Sequence, residues 1–157
     1  MRLIEIIKTI DWDEEDNKVV AQCLIDDAVE YMRRVEAHIY KGNEIRADSF
    51  MDFSEKQEEI RTLDRKRTEA HNKMLTSFAP FLDILIEQSE FDKDDYMLEN
   101  RTQIADFIAT IAFEFVGVEP DSRTEGSIRD SLTEKLHNNE ITYEKIAETI
   151  KREVYSK

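Results

Sequence analysis

Residues 50–78 read FMDFSEKQEEIRTLDRKRTEAHNKMLTSF, a stretch with neither Gly nor Pro. Apolar side chains recur along it at three-, four- and seven-residue intervals, which place them on one face of an α-helix. A Gly or a Pro inside a helix costs about 1 or 3 kcal/mol relative to Ala. The stretch therefore predicts one long amphipathic helix, whose core face comprises Phe53, Ile60, Leu63, Ala70, Met74 and Phe78.

Residues that break helices are rare in the rest of the chain as well. Three Gly and two Pro occur in 157 residues: Gly42, Gly117, Gly126, Pro80 and Pro120. We expect all five to lie at the boundaries of helical segments. A second long helix, over about 14–41, is predicted to end before Gly42 because Gly is common just past a helix C-terminus. Pro80 is predicted to open a short separate helix over 81–87, since Pro is tolerated at a first helical position.

The remaining segments complete an all-α fold. Residues 93–116 predict a helix closed by Gly117. Its stretch 104–116 carries only Asp106 and Glu114 as charges, so we expect this helix to be the central, most buried one. Ser122 with Glu125, and then Thr142, are placed to cap two final helices. We therefore predict a single-domain helical bundle over residues 1–157. It consists of two long antiparallel helices and the central helix (1–118), with a C-terminal helical hairpin (121–157) packed on them.

The charge balance limits the classes of partner. The net charge is −14, which opposes binding to phosphate backbones and to anionic membranes. A basic protein partner is favoured because complementary fields speed encounter. No apolar run approaches the 18 residues of a membrane span. Cys23 is the single cysteine, so it forms no internal disulfide, and we expect a cytoplasmic protein. We also expect the Cys23 side chain to be buried as a small hydrophobic group.

Several enzyme motifs are incomplete or missing in the chain. Three Gly cannot build a phosphate-binding loop. Only Glu134–His137 matches the Glu-x-x-His unit that a di-iron bundle needs twice. Helical nucleotide pyrophosphohydrolases pair Glu-x-x-Glu with a later Glu-x-x-Asp; Glu55–Glu58 and Glu87–Glu90 fit the first half, and the second half is absent. We therefore expect no cofactor.

The three histidines offer one alternative. His38, His71 and His137 lie on three different predicted helices. Three imidazoles that meet inside a bundle would bind zinc and leave a fourth position open for catalysis. Their spacing does not require this, because no His-x-x-x-His pair exists, and our prediction is no metal.

A polar cluster on the long helix is the sharper candidate site. At 100° per residue, Asp64, Arg67 and His71 fall on the same arc as the apolar face. Charged groups are seldom buried without a partner. Asp64 and Arg67 are spaced to pair, and Arg67 lies one turn before His71. The cluster predicts either a structural ion pair or a small polar pocket in which His71 transfers a proton or binds a ligand.

One motif gives an enzymatic alternative. The spacing Arg65-x5-His71 resembles the Arg-x4-6-His motif of the HEPN helical superfamily, and Arg33-x4-His38 fits it too. The resemblance covers this short motif only, and both matches lie in the middle of predicted helices, whereas the family motif usually opens a helix. Many members are metal-independent ribonucleases that act as dimers. A ribonuclease of this type would use His71 as a candidate catalytic residue, together with Arg65 of the motif or Arg67 of the polar cluster.

The leading hypothesis for function is a non-enzymatic protein-interaction or regulatory module. It is motivated by the acidic charge together with the absence of a complete catalytic motif. Helices of nearly thirty residues in so small a protein are expected to leave an apolar strip exposed, so we also expect a homodimer.

Overall fold

A computed structural model, which describes residues 3–92 and 125–155, confirms the all-α fold. The helices are α1 (Leu3–Lys8), α2 (Glu15–Glu36), a π-helical segment (Ala37–Lys41), α3 (Gly42–Ala47), α4 (Phe53–Gln88), α5 (Glu125–His137) and α6 (Tyr143–Tyr155). No β-strand occurs within those two ranges. The predicted central helix over 93–116, with Gly117 and Pro120, lies outside them.

The two long helical stretches form an antiparallel hairpin. Asn17 Nδ2 donates to Gln88 Oε1 at 3.0 Å near one end. Further along α2, the rings of Tyr31 and His71 have centroids 5.1 Å apart. As the position advances along α2, its partner on α4 moves backwards, which is the signature of antiparallel packing. A short connection joins the two arms, and Asp52 caps α4 by accepting a hydrogen bond from the Glu55 N–H at 2.9 Å.

Gly42 does not end a helix, so that prediction is wrong. Its φ and ψ of −59° and −41° are helical, and the chain continues from α2 through the π-helical segment into α3. A Gly in a helix costs only about 1 kcal/mol. Packing of the last turns of this stretch against α4 outweighs that cost.

The prediction that Pro80 opens a separate helix is also wrong. Pro80 lies inside one continuous helix of 36 residues, α4. The ring removes the hydrogen bond to the Thr76 carbonyl, but both residues are exposed, so water can hydrate that carbonyl. The neighbouring Phe78 and Phe81 are both buried and hold the helix on the core on either side of the proline.

The hydrophobic core occupies the end of the hairpin that contains the start of α2. Trp12 has no exposed surface and stacks on Phe81, with ring centroids 5.1 Å apart. Its indole N–H donates to the Ile7 carbonyl at 2.7 Å, so the polar atom of the buried ring is satisfied. Trp12 thereby joins α1, the α1–α2 connection and α4.

The last two helices pack on this core. Leu132 and Leu136 of α5 and Ile146 and Ile150 of α6 are buried in it, mainly against α2. Thr142 caps α6 as predicted, accepting a hydrogen bond from the Lys145 N–H at 3.1 Å. The predicted Ser122 cap lies outside the described residues. Gly126, which was expected at a segment boundary, lies within the first turn of α5.

The opposite end of the hairpin extends away from the core; residues 39–69 are called the distal arm below. No residue of α4 before Ala70 is buried. The predicted core face is therefore correct only in part. Ala70, Met74 and Phe78 are buried and Ile60 and Leu63 are half-buried, whereas Phe53 is exposed.

Candidate functional site

The predicted polar cluster lies at the inner end of the distal arm. Arg67 Nη2 and Asp64 Oδ1 are 2.7 Å apart, so the pair expected from their spacing is formed. Both side chains are partly exposed, at 39% and 53%. His71 is half-buried one turn further along α4, and its ring lies against Tyr31. The cluster therefore sits at the edge of the helix pair, with Asp64 and Arg67 open to solvent.

The structure adds a fourth group, His38, to this cluster. His38 belongs to the π-helical segment, and its Nε2 lies 3.5 Å from Asp64 Oδ1. Its side chain is only 21% exposed. Burial lowers the pKa of His38 from its usual 6.5; Arg67 and then Arg46 lower it further, while Asp64 opposes them. Because Asp64 also pairs with Arg67, the neutral imidazole prevails at neutral pH, and a neutral imidazole can accept a proton.

The arginines of the two Arg-x4-6-His matches are engaged elsewhere. Arg65 is exposed and lies 3.9 Å from Glu69 on its own helix. Arg33 approaches Glu144 of α6 at 3.2 Å and also covers the ring of Tyr143. The fold instead places the imidazole of His38 and the guanidinium of Arg67, which belongs to neither match, at the same Asp64 Oδ1.

The three histidines occupy three separate environments. His38 faces Asp64, His71 faces Tyr31, and the ring of His137 stacks on Tyr40 with centroids 3.5 Å apart. Within residues 3–92 and 125–155, no three His, Cys, Asp or Glu side chains are arranged to hold a metal ion. Cys23, which was expected to be buried, is exposed, so that expectation is wrong.

A second polar cluster joins α2 to the C-terminal hairpin. Glu36 accepts a hydrogen bond from the Tyr143 hydroxyl, and its Oε1 lies 3.5 Å from His137 Nδ1. The Glu36 side chain is 20% exposed. This cluster ties α5 and α6 to the end of α2 and is structural in character. Helical periodicity could not reveal it, because its members come from three helices.

The distal arm carries exposed aromatic side chains. Phe50 is 99% exposed and Phe53 is 73% exposed. Ile39, in the π-helical segment on the other side of the hairpin, is 37% exposed.

Two grooves flank this part of α4. One encloses about 500 Å³ and is lined by Lys41, Ile45, Glu55, Glu58, Glu59, Thr62, Leu63 and Lys66. The other encloses about 510 Å³ and is lined by Arg46, Phe53, Lys56, Gln57, Ile60 and Arg61; it is called the arm groove below.

Comparison with known proteins adds no relative to these observations: no protein-family model matches the chain, and no curated protein or solved structure is similar to it. None of the helices in the described part of the chain has the length and apolar character needed to cross a bilayer.

The sequence predicts that Phe53 and Ile60, the apolar residues of the arm groove, share one helix face, but it does not predict their exposure to solvent. Phe53 and Ile60 were assigned to the core face because helical spacing identifies residues that share a face. Spacing does not reveal whether another helix covers that face. Residues 52–69 contain 11 Asp, Glu, Lys or Arg residues, whereas residues 70–86 contain two, and this contrast is the signal that the two halves of α4 differ.

Proposed function

We propose that this chain is a non-enzymatic protein-interaction or regulatory module that binds its protein partner through the distal arm. The observation that carries the proposal is the exposure of Phe50 and Phe53 at the end of a hairpin with no buried α4 residue before Ala70. Clustered exposed apolar side chains rimmed by polar residues mark protein-interaction sites. A folded two-helix arm presents such side chains from regular structure, so less conformational entropy is lost on binding than for an unstructured segment.

The remainder of the chain supports this proposal through its charge. The net charge of −14 repels nucleic acid, so a protein is favoured over a polynucleotide as the partner. A homodimer remains a prediction, to be measured by light scattering of the purified chain.

Site-specific photo-crosslinking tests the proposed function. A photoreactive phenylalanine analogue replaces Phe53, and a matched variant carries it at Val19, which is 53% exposed on α2 outside the arm. In cells that express the chain at its native level, we expect one discrete protein adduct from position 53 and none from position 19. Mass spectrometry then identifies the adduct. Absence of an adduct at position 53, or equal adducts at both positions, would refute binding through the arm.

A metal-independent ribonuclease is the second candidate function. The observation that favours it is the neutral His38 imidazole beside the Arg67 guanidinium, an acid–base and charge-stabilising pair without a metal. Purified wild type should then cleave single-stranded RNA, and His38→Ala should lose most of that activity. The triple variant Arg65→Ala/Arg67→Ala/His71→Ala tests the sequence-based candidates, and His137→Ala is the control. Equal RNA degradation by all four proteins would eliminate this function.

A further inference from the structure

The charge of the distal arm differs from that of the whole chain. From Lys41 to Arg67 the sequence contains seven acidic and seven basic residues, so the entire net charge of −14 lies outside this segment. A ligand that approaches the arm therefore meets a local field that the net charge does not describe. Salt screens exposed charges that lie farther from the ligand than the Debye length, about 10 Å at 0.1 M salt, so the nearest side chains determine that field.

The arm groove collects basic residues. Arg46, Lys56 and Arg61 are three of its six lining residues, and none of the six is acidic. Lys56 Nζ donates to the Arg46 carbonyl at 3.1 Å, which fixes α3 and α4 as the two walls of the groove. Three cations without a lining carboxylate attract an anion, even on a protein that is acidic overall.

The groove also has an apolar component. Phe53 and Ile60 lie two helical turns apart on the same side of α4. Phe53 is largely exposed and Ile60 is half-buried, so a bound side chain would remove apolar surface of both from water. Cations beside apolar side chains match a peptide that carries carboxylates around an aliphatic or aromatic anchor. They match a polynucleotide less well, because the rest of the chain repels its continuous backbone charge.

We infer that the arm groove binds an acidic segment of a partner protein, with an apolar side chain seated between Phe53 and Ile60 and carboxylates paired with Arg46 and Arg61. This inference rests on the proposed function and names the chemistry of the partner. It reverses the expectation of a basic partner that the net charge gave.

The test is a selection from a random peptide-display library on the full-length chain. Arg46→Glu/Arg61→Glu reverses two exposed charges of the groove. Lys145→Glu/Arg152→Glu makes the same charge change at two exposed positions of α6 and is the matched control. We expect the wild type to enrich acidic peptides with an apolar anchor. Those peptides should bind the groove variant at least about 10-fold more weakly than the wild type. They should bind the control variant nearly as well as the wild type. Phe53→Ser should weaken binding without changing the helical circular dichroism.

Other occupants of the groove give different results. Enrichment of basic or uncharged peptides, or acidic peptides that bind the groove variant as tightly as the wild type, would overturn the inference. Binding of a single-stranded oligonucleotide without binding of the peptides would also overturn it. So would a second copy of the chain in the groove, in which case the wild type and the control variant would be dimers and the groove variant a monomer. A crosslink from position 53 to a protein without an acidic segment would leave the proposed function intact and reject this inference alone.

Discussion

His38 shows how a single residue responds to neighbours from two helices. Its pKa is lowered by burial and by Arg67, although Asp64 lies 3.5 Å away. The carboxylate of Asp64 also pairs with Arg67, so it stabilises the protonated imidazole of His38 less than an unshared carboxylate would. A histidine placed in this way is a weak proton acceptor that stays neutral when an isolated histidine would begin to ionise.

This leads to a pH-dependent stability difference between the wild type and His38→Gln. A histidine whose folded pKa is lowered binds fewer protons in the folded state than in the unfolded state, so its contribution to stability falls as the pH drops below 6.5. We expect the wild type to lose stability relative to His38→Gln as the pH falls from 6.5 through the lowered pKa. Urea unfolding at a series of pH values measures this. A difference that grows in favour of the wild type at acid pH would mean that the attraction of Asp64 exceeds the effects of burial and Arg67.

The helical elements show where tertiary packing overrides local preference. Gly42 and Pro80 are both expected to end helices, and both lie inside them. At Gly42, a methyl group in place of the α-hydrogen would lie 3.2 Å from Arg46 Nη1, the end of a flexible, exposed side chain. That side chain can move away, and Gly42 has helical backbone angles that any residue adopts.

We therefore expect Gly42→Ala to stabilise the protein by about 0.5–1 kcal/mol, because Ala loses less backbone entropy than Gly when a helix forms. Chemical denaturation monitored by circular dichroism gives the free energy of unfolding. A destabilised Gly42→Ala would show that the Arg46 side chain cannot move away from the added methyl group.

The attachment of the C-terminal hairpin gives a second prediction about an element. Glu36 is mostly buried and accepts a hydrogen bond from Tyr143. Tyr143→Phe removes that donor and leaves one carboxylate oxygen without it, which costs about 1–3 kcal/mol for a buried polar group. Urea unfolding should show the loss. Tyr40→Phe keeps the ring that stacks on His137 and is the matched control; an equal loss in both variants would mean that ring polarity, not the Glu36 hydrogen bond, is responsible.

At the scale of the whole molecule, the sequence predicts what depends on spacing within one helix. The Asp64–Arg67 pair and the Thr142 cap both follow from i,i+3 geometry. The approach of His38 to Asp64 could not be predicted, because it depends on how α2 and its π-helical segment align with α4. The extra residue of a π turn rotates the helix face formed by the residues that follow it. The local sequence gives no indication of that rotation.

Burial of Trp12 is another feature that depends on the whole molecule. Its acidic neighbours indicate an exposed turn, and Asp11, Asp13 and Glu14 are exposed as expected. The ring nevertheless points inward and stacks on Phe81, more than sixty residues away in sequence. Local composition describes the turn correctly and gives no information on the one side chain that anchors it.

The uneven burial along α4 has a consequence for how the protein opens. Backbone amides of residues 57–69, in the distal arm, should exchange their protons with deuterated water about 10-fold or more faster than those of residues 74–85, which lie over the core. Mass-spectrometric hydrogen exchange on the native protein resolves the two rates, and uniform rates along α4 would contradict the prediction. Because the arm opens more readily than the core, hydrogen exchange reports on its stability separately, whereas a melting temperature combines the two. A substitution that damages the arm should therefore accelerate exchange in residues 57–69 more than in residues 74–85.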